Sequence, residues 1–452
     1  MEDTIAAVST GNQVCAIGIV RISGENSIKL ADRVFQPRAG GPMSCQPDRK
    51  LVYGELRDST GDLLDVCLCT VSHGPNSYTG EDTAEFQCHG SPVLLQTLLQ
   101  ELFRLGARQA LPGEFTRRAF LNGRMELSAA EAVIDLIDAE NSAAVRNAAG
   151  QLSGALHRRA ETVYRMLENI SAHFHAVLDY PDEDIEEFQI QNYEEDLRQG
   201  LKTLEALLKS FERGKTLNSG IPTAIIGLPN AGKSSLLNVL VGYDRAIVTD
   251  VPGTTRDTVE ERVSLGSVLL RLTDTAGIHE TGDPVERLGI RRSLEAAEQA
   301  ELVLAVVDGS TAGSGDPEMI LRTAEQARHA IVILSKADLE QNGMKLQTKL
   351  PQLALSSVTG EGINELEAMI HEMFPLPQVP AGEILTNARQ ADAVRRAGES
   401  MYEALEALEQ GRTPDIILTE TETAMKALGE LTGADIREDI TDRIFSRFCV
   451  GK

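Results

Sequence analysis

Gly227-Leu228-Pro229-Asn230-Ala231-Gly232-Lys233-Ser234-Ser235 follows a short apolar run, residues 223–226, and opens an amphipathic helix at Leu236. A strand, a glycine-containing loop and a helix in that order can cradle a phosphate. The glycines let backbone N–H groups face a β-phosphate at a helix N-terminus, Lys233 reaches the β- and γ-phosphates, and the Ser234 hydroxyl holds Mg²⁺. Asp274-Thr275-Ala276-Gly277 follows the run 268–272, which puts Asp274 at a strand end near the metal and Gly277 beside a γ-phosphate. Between these pieces lies Thr249-Asp250-Val251-Pro252-Gly253-Thr254-Thr255, a loop that a γ-phosphate can order, with Thr255 as the second candidate hydroxyl for Mg²⁺. The phosphate loop taken alone fixes a nucleotide, not a function.

The base is read further along. Residues 330–334 form a buried-strand run ending in Ser335-Lys336-Ala337-Asp338, and the Asp338 carboxylate can accept from guanine N1–H and N2–H₂. Adenine lacks both donors on that edge, so the site favours GTP over ATP. Ser356-Ser357-Val358 closes the set after the short run 353–355. These parts stand in the order of a Ras-like GTPase, with three departures. Ser335 replaces the usual Asn, which predicts a weaker bridge to the phosphate loop and a modest nucleotide affinity. Ser357 replaces the usual Ala, and Ile278 stands where Ras-type enzymes carry the Gln that orients the attacking water. Catalysis must draw on another group.

A chain of 452 residues, 42% hydrophobic, is long enough for two to four domains with sizeable cores. No apolar run approaches the roughly 20 residues that span a membrane, and the first residues lack a basic leader pattern, so a cytosolic protein is expected. The six cysteines at 15, 45, 67, 69, 88 and 449 include no CxxC pair and read as buried thiols, Cys67 and Cys69 sharing one strand face. His173 and His175, two apart on a helix, point apart and make poor joint ligands. A net charge of −25 excludes broad nonspecific nucleic-acid binding, so any RNA must meet a local basic patch, with Arg117-Arg118, Arg124 and Arg158-Arg159 as candidates.

The expected fold class is multidomain α/β plus all-α. Residues 1–118 read as mixed α/β, with apolar runs at 17–22, 64–71 and 84–87 and a helix over 92–105. Helical patterning follows over 119–217, opened by a Ser128-x-x-Glu131 capping box and carried by Val163, Leu167, Ile170, Phe174 and Val177. The nucleotide cassette occupies 218–378, with Pro375 and Pro377 near its exit, and helical patterning resumes over 379–452. The simplest architecture inserts the Ras-like domain between two halves of one discontinuous helical domain.

Further blocks carry a resemblance. Asp3-Thr4-Ile5-Ala6-Ala7, Gly18-Ile19-Val20-Arg21-Ile22-Ser23-Gly24, the segment from Gly74 to Asp82, Pro112-Gly113-Glu114-Phe115-Thr116 and the terminal Cys449-Val450-Gly451-Lys452 occur in order along nearly the whole chain. Together they resemble the MnmE (TrmE) family of tRNA-modification GTPases. The resemblance implies an N-terminal domain that dimerises and binds 5-formyl- or 5,10-methylene-tetrahydrofolate, with Arg21, Glu85, Arg124 and Lys452 at folate-contacting positions. Arg124 stands where the family often has Lys, and residues 9–15 replace the usual Gly-rich loop. It also implies GTPase domains that meet face to face, K⁺ standing in for an arginine finger and held by Asn230, Thr249, Val251 and Thr254. Glu286 matches the catalytic glutamate that positions water through a second water. The implied reaction is GTP hydrolysis in a homodimer that joins the flavoprotein MnmG in a heterotetramer or larger complex. That complex builds an aminomethyl- or carboxymethylaminomethyl-type group on C5 of wobble uridine in certain tRNAs, folate supplying the carbon, with no membrane involved. By the same resemblance Cys449 lies near this chemistry, as a nucleophile or in a structural or folate-contacting role. A regulatory or ribosome-assembly GTPase would explain the cassette equally well, but not the first domain or the terminal Cys-Val-Gly-Lys.

Overall fold

The computed structural model describes residues 3–11, 13–179, 190–243, 261–266, 268–272, 296–310, 317–339, 346–375, 380–433, 438–446 and 448–451. Two compact units emerge, one made of residues 1–134, 152–164 and 425–452, the other of 135–151 and 165–424. Among the described residues no helix is long and apolar enough to cross a membrane.

The first unit is built on a seven-stranded sheet ordered β3-β4-β5-β6-β2-β1-β7. Its strands are β1 (Ile5–Val8), β2 (Cys15–Ser23), β3 (Phe35–Pro37), β4 (Val52–Arg57), β5 (Leu63–Ser72), β6 (Thr83–Gly90) and β7 (Arg108–Gln109). All pairings are antiparallel except β1 with β7. Alternation along β5 buries Cys67, Cys69 and Val71 and leaves their neighbours half-buried, the period of two expected of a sheet with one face in the core. That face carries Val20, Ile22, Leu56 and Phe86 against the helices Ser27–Val34 and Pro92–Arg104. Pro92 sits at the start of its helix, where its missing N–H has no intrahelical partner to lose.

The C-terminal residues belong to this unit. Phe445 and Phe448 join a cluster with Ala130 and Phe120, the Gly113 N–H donates to the Cys449 carbonyl at 3.4 Å, and Ser9 Oγ donates to the Gly451 carbonyl at 3.1 Å. Gly113 takes a left-handed φ of 64° before the helix Glu114–Leu121, and a Cβ there would lie 2.7 Å from the Phe445 carbonyl oxygen. The docking of the tail therefore depends on that glycine twice, for the turn and for the close approach. The expected capping box at Ser128 does not form. The helix Leu127–Ile137 starts one residue earlier, so Ser128 lies inside it with an unpartnered hydroxyl, because Leu127 is fully buried and fixes where the helix begins.

A charged network lies beneath this face. Arg118, 1% exposed, donates to Asp3 (2.8 Å), Glu81 (2.9 Å) and Glu114 (3.0 Å), while Arg108 also pairs with Asp3 and Glu114. It ties the strand-leading residue Asp3, the loop before β6 and the helix Glu114–Leu121 to one point.

The second unit carries a six-stranded sheet of β8 (Ile221–Gly227), β9 (Glu261–Leu265), β10 (Val268–Leu272), β11 (Leu302–Asp308), β12 (His329–Ser335) and β13 (Gln352–Ala354). Its order is β13-β12-β11-β8-β10-β9, parallel except for β9. Residues 302–306 of β11 are all buried, a continuous apolar run, because helices cover both sheet faces. The helices Lys233–Tyr243 and Ile363–Met373 pack on one face and Glu318–Gln326 on the other. The long helix Ile190–Ser219 passes through Gly220 (φ 74°) directly into β8. It lies along the helix Ala388–Glu409, and Asn147 and Gln151 hold the residues before that helix by donating to the Ile384 carbonyl at 3.1 and 2.7 Å. The Ras-like sheet is thus entered from helix and left into helix, as the insertion pattern in the sequence implies.

Arg118→Met would leave the half-buried Glu81 without its ion-pair partner and the buried Glu114 with Arg108 alone, and should lower unfolding free energy by about 3 kcal/mol, measurable by urea denaturation of the full chain. The carboxyl of Glu114 has a pKa below its ordinary 4.5: burial opposes ionisation, but Arg108, the Leu111 N–H and Arg118 outweigh it. Such a group adds stability that is present above its unfolded pKa and lost as pH falls through the folded one. Below about pH 4.5 the wild type should therefore lose stability more steeply than Arg118→Met; parallel losses would show that the network contributes nothing net.

Candidate nucleotide site

At β8 the sheet reverses its order, with β11 on one side and β10 on the other, the kind of switch point outside whose strand carboxyl ends α/β sheets bind ligands. The phosphate-loop residues occupy that point. β8 ends at Gly227, where a Cβ would collide with the Val306 carbonyl oxygen of β11, so only glycine lets the loop leave here. Asn230 and Gly232 take left-handed φ values of 59° and 97°, and the helix then starts at Lys233, followed by Ser234 and Ser235. Its N-terminus directs the positive end of the helix dipole at the loop. Lys233 Nζ donates to the carbonyls of Gly227 (2.9 Å) and Leu228 (2.8 Å), which keeps the ammonium inside the curve of the loop.

Ser335, at the end of β12, is 3% exposed and its hydroxyl lies 2.6 Å from the Ala231 carbonyl and 3.2 Å from that of Val307. The weaker bridge expected of this serine is therefore corrected. A short side chain reaches because Gly232 brings the loop close: a Cβ on Gly232 would lie 3.4 Å from Ser335. Next in sequence, Lys336 (φ 59°) pairs with Asp308 at 2.7 Å. Burial opposes ionisation of Asp308, but Lys336 and Ser310 hold its pKa at about 2.

The carboxylate expected to read the base, Asp338, is placed by a neighbouring strand. The Ala337 N–H donates to the Leu355 carbonyl at 3.2 Å, and the fully buried Ser356 hydroxyl donates to Asp338 Oδ1 at 2.6 Å. Ser356 Oγ in turn accepts from the N–H groups of Val358 and Thr359, each at 3.2 Å, which fixes its orientation. Asp338 itself is exposed and faces solvent. Ser357 and Val358 form the turn after β13, Val358 being 83% exposed. Sequence reasoning grouped Ser356, Ser357 and Val358 without distinguishing Ser356 as the positioning residue, and it missed Asp308. The signal for Asp308 was present: it ends the buried run 302–307 at the same sheet edge as Ser335.

Thr249, Asp250, Val251, Pro252, Gly253, Thr254, Thr255, Asp274, Thr275, Ala276, Gly277, Glu286 and Lys452 lie outside the described residues. The other singled-out residues fall in the first unit. Arg21 and Glu85 are cross-strand partners on β2 and β6, joined at 2.6 Å, and the Arg21 guanidinium stands over the rings of Tyr78 (5.3 Å) and Phe115 (5.6 Å). Arg124 donates to the Ser77 carbonyl at 3.1 Å. Arg21 and Arg124 thus both attach to the segment 74–82, an arrangement of cationic and aromatic groups suited to an anionic, planar ligand. Cys449 is exposed. Among the proposed RNA contacts, Arg118 is corrected: it is buried in the ionic network and has no surface to offer. His173 packs on Phe174 and Tyr193 while His175 pairs with Glu422 at 2.9 Å, so the two diverge as expected.

Ser356→Ala should weaken GDP binding about tenfold, the loss of roughly one charge-assisted hydrogen bond, and Asp338→Asn should abolish most discrimination between GDP and ADP. Fluorescence titration with labelled nucleotides measures both; full selectivity in Asp338→Asn would remove that residue from the base site.

A family model described as the MnmE helical domain matches residues 127–449, and one described as the GTP-binding protein TrmE N-terminus matches residues 4–124. The chain is similar to the tRNA modification GTPase MnmE of Symbiobacterium thermophilum, 42% identical over 100% of both chains. It is 41% identical to the protein of the same name from Roseiflexus sp. strain RS-1, over 100% of this chain and 99% of the relative. The corresponding protein of Alkaliphilus oremlandii is 39% identical over 100% of both chains.

Proposed function

The chain belongs to the MnmE family of tRNA modification GTPases, and on that premise we propose that it hydrolyses GTP to drive modification of the wobble uridine in certain tRNAs. The observation that carries the reading is the convergence of the phosphate loop, Ser335 and a Ser356-oriented Asp338 at one sheet edge. That edge belongs to a chain that aligns end to end with its relatives.

In this reading Lys233 and the helix N-terminus hold the phosphates, and Asp338 accepts from guanine. The donor set fits the ions the fold implies: Ser234, in the first turn of the helix that Lys233 opens, and Thr255 offer hydroxyls for Mg²⁺. Asn230, held at the loop tip by its left-handed backbone, offers an amide oxygen for K⁺, with Thr249, Val251 and Thr254 supplying further oxygens. When bound, the two cations supply positive charge against the negative charge that develops between the β- and γ-phosphates. Glu286 orients the attacking water, taking the place of the Gln absent at Ile278.

The first domain holds a 5-formyl- or 5,10-methylene-tetrahydrofolate. Arg21, Arg124 and Lys452 meet its anionic groups, Glu85 accepts from its ring N–H donors, and the Tyr78 and Phe115 rings beside Arg21 suit a planar pteridine. The division into 1–118, 119–217, 218–378 and 379–452 assigns folate binding and dimerisation to the first part and GTP hydrolysis to the third. The protein acts in the cytoplasm as a homodimer, in complex with the flavoprotein MnmG, and adds an aminomethyl- or carboxymethylaminomethyl-type group to C5 of the uridine.

GTP turnover measured in KCl and in NaCl at equal ionic strength tests this reading. Turnover should be at least about tenfold faster in KCl and lose that difference in Asn230→Ala, and Glu286→Ala should slow hydrolysis about a hundredfold while binding GTP normally, as expected for a group acting on the transition state. Equal rates in the two salts would instead favour a regulatory switch without the dimer-dependent mechanism.

A further inference from the structure

A second cluster of chemically capable side chains lies on the opposite face of the first sheet from Arg21 and Glu85. Asp65 and Cys67, two apart on β5, share a face, and Cys88 on β6 stands one residue beyond the Leu68–Gln87 pair, beside Cys67. The three ligand atoms all lie within 4.8 Å of one another, and the two sulfurs are 4.0 Å apart. Two thiolates on one tetrahedral zinc stand about 3.8 Å apart when each Zn–S bond is about 2.3 Å. The sulfur pair is therefore already spaced for a shared cation.

The carboxylate is held in place from outside. Asp65 Oδ2 accepts from the backbone N–H of His89 (2.9 Å), Oδ1 accepts from that of Val66 (2.7 Å), and His89 Nδ1 lies 2.8 Å from Oδ1. Only 9% of the Asp65 side chain is exposed. Its ion-pair partner among the described residues is His89, 77% exposed. A carboxylate oriented by neighbouring N–H groups is the outer-shell arrangement that fixes ligands at metal centres.

We propose that Asp65, Cys67 and Cys88 bind a thiophilic divalent cation of the zinc class, with water completing four-coordination on the His89 side. On binding, two metal–sulfur bonds and one metal–oxygen bond form, the two thiol protons leave to solvent, and no electron is transferred. Soft thiolates select this class over Mg²⁺, so the site does not compete for the nucleotide's metal. The bound cation ties β5 to β6 and gives the half-buried Asp65 a further counter-charge. Sequence reasoning read Cys67 as ordinary packing because its nearest cysteine in sequence, Cys69, is not its partner; the partner comes from the next strand.

The test uses the full chain under reducing conditions, dialysed against Zn²⁺ or Co²⁺. Wild type should retain one zinc per chain, and its Co²⁺ form should show a thiolate-to-cobalt charge-transfer band in the near ultraviolet. Cys67→Ser and Cys88→Ser should lose the band. Asp65→Asn, a less intrusive change that keeps the core, should weaken Zn²⁺ binding at least about tenfold. Cys45→Ser, at an exposed thiol, should leave both readouts unchanged. No charge-transfer band in folded wild type, or a band that survives both serine variants, would overturn the proposal, as would isolation of a metal-free Cys67–Cys88 disulfide from freshly reduced protein.

Discussion

The nucleotide cassette depends on how closely backbones can approach at the carboxyl edge of the second sheet. Gly227 passes the Val306 carbonyl where any side chain would collide, and Gly232 lies against Ser335 with space for contact and little more. Once those two distances are set, the remaining geometry follows. The loop curls around the Lys233 ammonium, which bonds the carbonyls of residues 227 and 228, and the Ser335 hydroxyl spans loop and β11. Parallel pairing of β11 with β12 then places Asp308 and Ser335 in register, so the Lys336–Asp308 pair forms immediately beyond the strand ends. The site is a consequence of sheet register, with glycine at the two positions where register demands it.

The first unit solves a different problem with charge. Its sheet has helices over one face, and the segment 74–82 has little apolar material with which to anchor itself. Arg118 supplies the anchor instead, reaching Glu81 in that segment, Glu114 one helical turn away and Asp3 ahead of β1. Buried ion pairs of this kind contribute little net stability, because desolvation offsets attraction, but they are unforgiving of a missing partner. The same segment carries Ser77 and Tyr78, to which Arg124 and Arg21 attach. An anchor that admits one arrangement therefore fixes the proposed ligand-facing groups as well.

Much of this was legible in the sequence, for reasons that differ by element. The parallel strands β8, β11 and β12 announce themselves as unbroken apolar runs because both faces are covered, and the residues at their carboxyl ends are necessarily neighbours. The gathering of Gly227 to Ser235, Ser335 and Asp338 at one sheet edge could thus be anticipated from order alone. Ser356 could not be separated from Ser357, since one residue of register decides which hydroxyl turns inward. The Ser335 bridge was underestimated because side-chain length was judged without the backbone's approach at Gly232. Arg118 misled for a related reason: a basic pair, Arg117-Arg118, reads as surface, and only three carboxylates distant in sequence reveal that one of them is buried.

That last point bears on recognition of a polyanion. The chain carries a net charge of −25, and Arg118 and Arg108 are committed to neutralising carboxylates within the fold. Arg117 pairs with Asp442 at 2.9 Å, and Arg158 donates to the Ser153 carbonyl at 2.7 Å. The positive charge left to face a phosphate backbone is smaller than the count of arginines suggests, and the field a tRNA meets at long range is repulsive. Since counterion release scales with the number of phosphates neutralised, affinity on the proposed function must come from a few local contacts or from surface contributed by the partner flavoprotein. The charge of this chain alone therefore favours short-range contacts over long-range attraction in any encounter with a phosphate backbone.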